Sequence, residues 1–278
     1  MRILHFFLSH SIFIAFCAVA LCFQTNVLLG IPPNFNLLLF ILFSTICSYN
    51  FYWLLSKFYF SKRIFDVAFI KLNGSFFLLF IVAAIFALLL FFRLQYLLWY
   101  ISFSIALTFL YALPLLPFKV LMPLQQLGFL KTILLSLAWA FTTTFLPTAS
   151  VIKIYLPAVL LIFLSRFCFM LLLCIIFDRR DAVLDKIKGL HSLATDISEK
   201  KLFLFVFVVY LCFITFSLIF CYYFSNVFQA SAFILSGLLF WIVYKLSNKK
   251  HGYIFYYFVV DGLMLVTALL SFFTSLFS

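Results

Sequence analysis

The chain is poor in charged residues, and this scarcity excludes a water-soluble fold. Only 9% of its 278 residues are Asp, Glu, Lys or Arg, whereas 68% are hydrophobic. Soluble domains average about 25% charged and about 45–50% apolar residues. So many apolar side chains cannot all be buried in the single core of a soluble protein of this length. The composition therefore predicts an integral membrane protein.

The sequence also lacks the strict alternation of apolar and polar residues that is typical of outer-membrane β-barrels. Its apolar runs are continuous instead, as over 76–92. The seven cysteines form no CxxC or CxxxC pair, and most lie inside apolar runs, which makes a metal or redox site an unfavoured interpretation. No soluble domain, low-complexity linker or internal repeat stands out. The sequence predicts an all-α polytopic membrane protein in which residues 1–278 form a single transmembrane domain.

Nine apolar segments have the length of about 20 residues that a membrane-spanning helix needs. Polar or proline-bearing segments separate them, for example 24–36, 57–74 and 178–201. We interpret the first segment as a span because its apolar run is too long for a typical signal-peptide core. The predicted spans are 4–23, 36–56, 75–92, 96–116, 129–149, 155–177, 202–224, 228–246 and 254–277.

Basic residues greatly outnumber acids, with 19 Lys and Arg against 7 Asp and Glu. In a soluble protein this excess would indicate nucleic-acid binding, but in a membrane protein it indicates the positive-inside rule, so no nucleic-acid partner is expected. If the N-terminus is inside, the inside segments hold 16 basic residues and the outside segments hold 2, Arg93 and Lys153. The pattern predicts a cytoplasmic N-terminus, cytoplasmic loops 57–74 and 178–201, and a C-terminus outside.

Five of the seven acids lie in the segment that follows the sixth span. Asp178, Asp181 and Asp185 have the spacing i, i+3, i+7, which puts three carboxylates on one face if the helix of the span continues. Like charges on one face call for a counter-cation, and Mg²⁺ held by one or two carboxylates and by phosphate oxygens fits. The alternative is a solvated loop whose acids pair with the neighbouring Arg and Lys residues.

The segment 178–194 has the pattern D-x-x-D-x-x-x-D-x-x-x-G-x-x-S-L-A. It resembles the second aspartate motif of the UbiA superfamily of intramembrane prenyltransferases, and its place after the sixth of nine spans agrees with that family. Weaker similarities are Tyr-Ala-Leu-Pro at 111–114, Lys131 at the start of the fifth span and 256–262 in the ninth. The resemblance covers nearly the whole chain and implies a helical bundle around a central cavity.

In that family, two Asp-rich motifs hold Mg²⁺ ions that bind an isoprenyl diphosphate in the membrane. The metal assists the departure of diphosphate, and an acceptor, often an aromatic ring, attacks the allylic carbocation. The resemblance therefore implies a prenyltransferase with an aromatic or otherwise lipophilic acceptor. It would make Asp178, Asp181 and Asp185 the catalytic residues and the Mg²⁺ ligands.

The first motif of the family, N-D-x-x-D-x-x-x-D after the second span, is incomplete in this chain. Its Asn is present as Asn50, but apolar residues replace the three acids: Phe51, Leu54 and Phe58. Basic residues follow: Lys57, Lys62 and Arg63. Two accounts remain open. The basic residues bind diphosphate directly in place of one metal, or the protein has lost the chemistry and binds a lipid or a partner subunit.

The candidate substrate-binding residues are Asn50, Lys57, Lys62, Arg63, Lys131 and Arg166. Arg166 lies near the middle of the sixth span, about 18 Å from Asp178 along an ideal helix, so it cannot share a metal shell with that residue. It either lines a cavity or pairs with polar groups of a neighbouring helix. Asp261 in the ninth span is expected to make hydrogen bonds in helix packing. A small-solute transporter is a third, less favoured function, because few polar residues lie within the spans.

Overall fold

The fold consists of helices throughout the part of the chain that the structure describes. The structure, a computed structural model, describes residues 2–61, 73–112, 128–187 and 192–277; at 2, 58–61, 128 and 183–187 it describes the backbone alone. Within these ranges there is no β-strand, and nine helices are long and apolar enough to cross a membrane. The predicted all-helical, multi-pass membrane protein with nine spans is confirmed.

The helices are α1 Arg2–Ser9, α2 Ile12–Leu29, α3 Phe35–Ser61, α4 Gly74–Arg93, α5 Leu98–Ala112, α6 Gly128–Thr148, α7 Ile152–Ile187, α8 Leu193–Asp196, α9 Glu199–Phe224, α10 Val227–Leu246 and α11 Asp261–Ser275. A short 3₁₀ turn, Gln95–Leu97, precedes α5, and a π-helical turn, Phe255–Val260, precedes α11. Each span is rich in Leu, Ile, Val and Phe, and its backbone groups bond within the helix, as a lipid environment requires.

Six of the helices close into a ring. Going round it, α2 packs against α6, α6 against α7, α7 against α9, α9 against α10, α10 against α11, and α11 against α2 again. Outside this ring, α3 packs on α2, α4 packs on α3, and α5 packs on α6. The first and last spans are therefore neighbours, although they are farthest apart in the chain.

Burial differs sharply between the spans. In α7, 72% of the most apolar window is buried, whereas in α4 the share is 6%. The long apolar side chains of α4 are exposed, as expected of a helix whose faces meet lipid. Exposed aromatic residues mark the end of the bundle where α4 meets α5 and where α9 ends: Tyr96, Trp99, Tyr222 and Tyr223. Tyr and Trp favour the membrane–water interface, so these residues mark one boundary of the apolar slab.

The first span differs from the predicted 4–23 at both ends. The helix breaks after Ser9, because Ser11 has a left-handed backbone with φ of 62°, and α2 begins at Ile12. At its other end α2 continues through the polar residues 24–26 and stops at Gly30, which has φ of 63°. The polar residues stay helical because their side chains find partners in neighbouring helices, which the sequence alone does not reveal.

Candidate functional site

The helix α7 carries the aspartate motif beyond the predicted end of the sixth span. It runs to Ile187, so Asp178, Asp181 and Asp185 share one continuous helix and the condition for a common face is met by the backbone. The predicted break at 178 is therefore ten residues too early. The side chain of Asp185 lies outside the described residues, and so do Lys62 and Arg63 altogether.

Several helix ends meet around the motif, and we call this region the Asp178 end of the bundle. Asp178 bonds to the start of α6, and Arg179 donates from Nη1 to Asn248 Oδ1 just after α10, at 2.6 Å. Midway along α3, the Tyr49 hydroxyl accepts a hydrogen bond from Trp139 of α6 at 3.1 Å and interacts electrostatically with Cys174, one turn before Asp178. Tyr49 of α3 therefore lies near the motif on α7.

The Asp178 carboxylate is fixed by its neighbour on α6. The hydroxyl of Thr132, which is buried, donates to Asp178 Oδ2 at 2.5 Å. Lys131 precedes Thr132 in the same turn, and both Lys131 and Asp178 interact electrostatically with the Cys174 thiol one turn back on α7. The predicted site residues Asp178 and Lys131 are thus brought together, with the carboxylate held between α6 and α7.

Asp181, one turn farther along α7, is held by its neighbour Arg180. Arg180 donates from Nε to Asp181 Oδ1 at 2.7 Å and from Nη2 to Oδ2 at 2.9 Å, a two-pronged pair that engages both carboxylate oxygens. The guanidinium also lies over three aromatic rings, those of Phe177, Tyr256 and Tyr257, at 4.9–5.1 Å from their centroids. The sequence pattern indicated Arg180 only as an ion-pair partner of the neighbouring acids, and its pair with Asp181 is present.

Asp261 is a further acid that the structure brings near the motif. It follows the π-helical turn Phe255–Val260 and is buried, 7% exposed. It interacts electrostatically with Arg180, with the Tyr49 hydroxyl and with the Cys174 thiol, which also interacts with Asp178. The acid of the ninth span therefore faces the interior of the Asp178 end, opposite the motif on α7. An acid within an apolar span was itself the signal for a functional position.

Asn50 is directed away from the acids and towards the start of the chain. Its side chain is fully buried, and its Nδ2 donates to the carbonyls of His10 and Ile46, at 3.0 and 2.8 Å. Its Oδ1 is buried without a hydrogen-bond partner. His10 in turn bonds through Nε2 to Ser75 Oγ on α4 at 2.9 Å, and burial lowers the pKa of His10. Asn50 thus connects α3 to the helix break at His10, between α1 and α2.

Lys57 is the last residue of α3 whose side chain the structure describes, and it is exposed. Its ammonium lies 5.4 Å from the centre of the Trp53 ring, which stacks on Phe76 of α4 at 3.8 Å. The Lys57 ammonium is therefore held against a ring that packs between α3 and α4. Phe51 and Leu54 of α3 are in lipid-like surroundings, one half-exposed and one buried, and bring no charge to the site.

Arg166 lies deep in the ring, away from the Asp178 end. Its Nη1 donates to three oxygens: Leu21 O at 2.9 Å, Thr25 Oγ1 at 2.6 Å and Thr143 O at 2.8 Å. Its Nη2 donates to Gln24 Oε1 at 2.8 Å. The residue thus ties α2 and α6 to α7, and it also lines a cavity inside the ring. Both predicted roles for Arg166, packing and cavity lining, are present.

The described residues fit a magnesium ion only if the ligand completes its shell. Among them, no group of three or more His, Cys, Asp or Glu side chains is placed to hold a metal. Asp178 and Asp181 supply two carboxylates one turn apart, which is the donor set that Mg²⁺ uses together with phosphate oxygens and water. Asp181 can bind a metal only after its ion pair with Arg180 breaks. The two carboxylates therefore fit a metal whose other ligands are diphosphate oxygens and water. They do not fit a metal bound by protein ligands alone.

The site therefore combines acids on α7 and α11 with cations on α6 and α7 at one end of a membrane-spanning ring. No protein-family model, no curated protein and no solved structure matches this chain.

Proposed function

We propose that this protein is an integral membrane prenyltransferase of the UbiA type. It would transfer an isoprenyl group from an isoprenyl diphosphate to an aromatic or otherwise lipophilic acceptor. The observation that carries the proposal is the continuation of α7 through the motif, which puts Asp178 and Asp181 one turn apart where four helices meet. Acids there, together with the cations Arg180 and Lys131, are the groups that recognise a metal-bound diphosphate.

In the proposed reaction, the bond between the allylic carbon and the diphosphate oxygen breaks, and the electron pair leaves with the diphosphate. The acceptor carbon then bonds to the allylic cation and loses a proton, which the departed diphosphate accepts. Bound Mg²⁺ would neutralise charge on the leaving diphosphate. Thr132 holds the Asp178 carboxylate in place, so that the residue needs no reorganisation when the ligand arrives. Rings of Tyr256, Tyr257 and Tyr49 line the same end and exclude water from the cation.

The pair of Arg180 and Asp181 has a specific part in this proposal. A diphosphate carries more negative charge than one carboxylate, so it competes with Asp181 for the Arg180 guanidinium. Asp181 is thereby released to the metal that accompanies the diphosphate. One exchange thus supplies both a cation for the phosphate oxygens and a carboxylate for the metal, at a site that lacks the acids of the first motif.

The test is thermal stabilisation of the purified protein by geranyl, farnesyl and geranylgeranyl diphosphates, with and without Mg²⁺. A ligand that binds the folded state raises the apparent stability by RT ln(1 + [L]/Kd). We expect Mg²⁺-dependent stabilisation that is lost in Asp178→Asn. Glu199→Gln is the matched control, since this acid is exposed at the start of α9, and it should keep the effect. No stabilisation by any chain length would refute the proposal.

A second candidate, a non-catalytic relative that binds a lipid or a partner subunit, is favoured by one observation. Both oxygens of Asp181 are engaged by Arg180, so the motif neutralises part of its own charge. For such a protein, Asp178→Asn would leave lipid or partner binding intact. Stabilisation by the diphosphates without Mg²⁺ would instead favour direct binding by Lys57, Lys62 and Arg63.

We further propose that the Asp178 end faces the cytoplasm, with the N-terminus on the same side and the C-terminus outside. The proposal rests on the distribution of Lys and Arg among the segments.

A further inference from the structure

The guanidinium of Arg166 is a buried charge whose hydrogen-bond partners are all neutral. The residue is 5% exposed and lies near the middle of the longest span, Ile152–Ala182. Its four acceptors are two backbone carbonyls, a threonine hydroxyl and the carbonyl oxygen of Gln24. The ion pair between described side chains is at the other end, between Arg180 and Asp181. Within the described residues, no carboxylate balances the charge of Arg166.

The hydrogen bonds also leave part of the guanidinium without an acceptor. Arginine has five N–H groups: one on Nε and two on each Nη. Nη1 points to three oxygens and Nη2 to one, so the Nε–H and the second Nη2–H have no acceptor among the described residues. Arg180 holds the Asp181 carboxylate with these same two nitrogens. Arg166 therefore keeps its Nε–H and one Nη2–H as donors for an anion.

A cavity lies beside Arg166, inside the ring of helices. Its polar lining includes Gln24, Ser165 and Ser217, and its other walls are mostly Leu, Ile and Phe side chains. The two serines bond to each other at 2.7 Å, and Ser217 also bonds to the Phe213 carbonyl at 2.7 Å. Both Nε2 hydrogens of Gln24 are used, by Thr267 O and Ser271 Oγ. The cavity has room for a single water molecule or an ion slightly larger.

We propose that this cavity binds one small monovalent inorganic anion, of the size of chloride, against Arg166. A buried cation without a counter-charge is strongly unfavourable in an apolar interior, and an anion beside it removes that cost. The apolar walls exclude large hydrated ions, and the mid-span position lies beyond the reach of lipid headgroups. The site is about 18 Å from Asp178 along α7, so it is separate from the proposed diphosphate site and does not depend on it.

The experiment measures the apparent Tm of the protein in nanodiscs across a series of sodium salts at one ionic strength. Chloride, bromide and nitrate are compared with gluconate, which is too large for the cavity. We expect a saturable rise of about 2–4 °C in the small anions over gluconate. Equal Tm values in chloride, nitrate and gluconate would overturn the proposal, because the cavity would then hold water only.

Two variants locate the effect. Arg166→Gln should abolish the difference between bromide and gluconate, whereas Arg93→Gln, at the exposed end of α4, should keep it. If Arg166→Gln does not fold, Ser217→Leu fills the cavity from α9 without removing the guanidinium, and it should abolish the anion effect too. A folded variant of either kind that retains the full bromide shift would refute the site. Anomalous scattering from bromide beside Arg166 would be the direct structural readout.

Discussion

At the scale of single residues, the guanidinium of Arg180 determines what Asp181 is able to bind. It engages both carboxylate oxygens and is itself fixed over the rings of Phe177, Tyr256 and Tyr257. A half-exposed ion pair contributes little to stability by itself. The pair therefore matters for binding rather than for stability. A diphosphate could take the place of Asp181 at Arg180, and a metal could take the place of Arg180 at Asp181.

We predict that Arg180→Gln weakens farnesyl diphosphate binding in the presence of Mg²⁺ by about tenfold, the loss of one charge-assisted contact. The same variant should bind Mg²⁺ alone more tightly, because Asp181 is released. Thermal stabilisation measured with Mg²⁺ alone and then with the diphosphate separates the two effects. Arg179→Gln is the matched control, since Arg179 bonds to Asn248 instead. If Arg180→Gln lowered the stability but changed neither Mg²⁺ binding nor diphosphate binding, the proposed exchange of partners at Arg180 and Asp181 would be contradicted.

The bond between Thr132 and Asp178 gives a second prediction at this scale. Thr132→Val keeps the shape of the side chain but removes the hydroxyl that donates to Oδ2. We expect a loss of about 2 kcal/mol in the free energy of unfolding, as is typical of a hydrogen bond to a charged group. Thr108→Val, which removes an intrahelical bond of an exposed threonine on α5, should change stability little. Unfolding titrations in mixed micelles measure both.

His10 gives a prediction about pH. Burial lowers its pKa below the usual 6.5, and the nearby His5 acts in the same direction. The unfolded chain therefore takes up the proton first as the pH falls, so the stability that neutral His10 supports is present above pH 6.5 and is lost as the pH falls through the folded-state value. His10→Phe should lack this acid-sensitive component in Tm curves, whereas a variant of the exposed His251 should keep it.

At the scale of elements, the sequence predicted the spans well and their ends poorly. The continuous apolar runs define nine helices, since length and hydropathy alone decide whether a segment crosses a membrane. The ends depend on partners from elsewhere in the chain. Gln24 stays in α2 because Ser271 and Arg166 bond to it, and α7 passes 178 because Asp178 bonds to α6. No local pattern contains that information.

The π-helical turn Phe255–Val260 sets the rotation of Tyr256 and Tyr257 relative to α11, and its removal is a test. A π turn holds one extra residue, so deleting the half-exposed Phe258 should restore α-helical spacing. The residues before it would then rotate by about 100° relative to α11, and Tyr256 and Tyr257 would leave Arg180. We expect a folded protein with weakened diphosphate stabilisation. Deleting exposed Gly252, outside the turn, is the control.

At the scale of the whole molecule, the candidate site was predictable in part. The motif on α7 was found from its carboxylate spacing, and Lys131 from its place before the fifth span. The positions of Asp261 and of the aromatic rings near Arg180 depend on how α11 packs beside α7. No single segment of the sequence encodes that packing. Asn50 was predicted as a substrate-binding residue, and its amide donates to the backbone carbonyls of His10 and Ile46.

The sidedness of the molecule can be tested with single cysteines in a variant that lacks the seven native ones. Glu199→Cys and Asn248→Cys should react with a membrane-impermeant thiol reagent from one side, and Ser225→Cys from the other, since α9 and α10 each cross once. The distribution of Lys and Arg predicts that positions 199 and 248 are cytoplasmic. Labelling of Ser225→Cys from the cytoplasmic side would reverse the assignment.

The closure of the ring between α2 and α11 also has a consequence for biosynthesis. The first span enters the membrane early, yet Gln24 has its partners in Thr267 and Ser271, which are synthesised about 240 residues later. Until then its amide is held in lipid without those bonds, a state that the cell can recognise as unfinished. We therefore predict that a nascent chain arrested before Phe255 is degraded by membrane proteases rather than accumulating as a stable eight-span product.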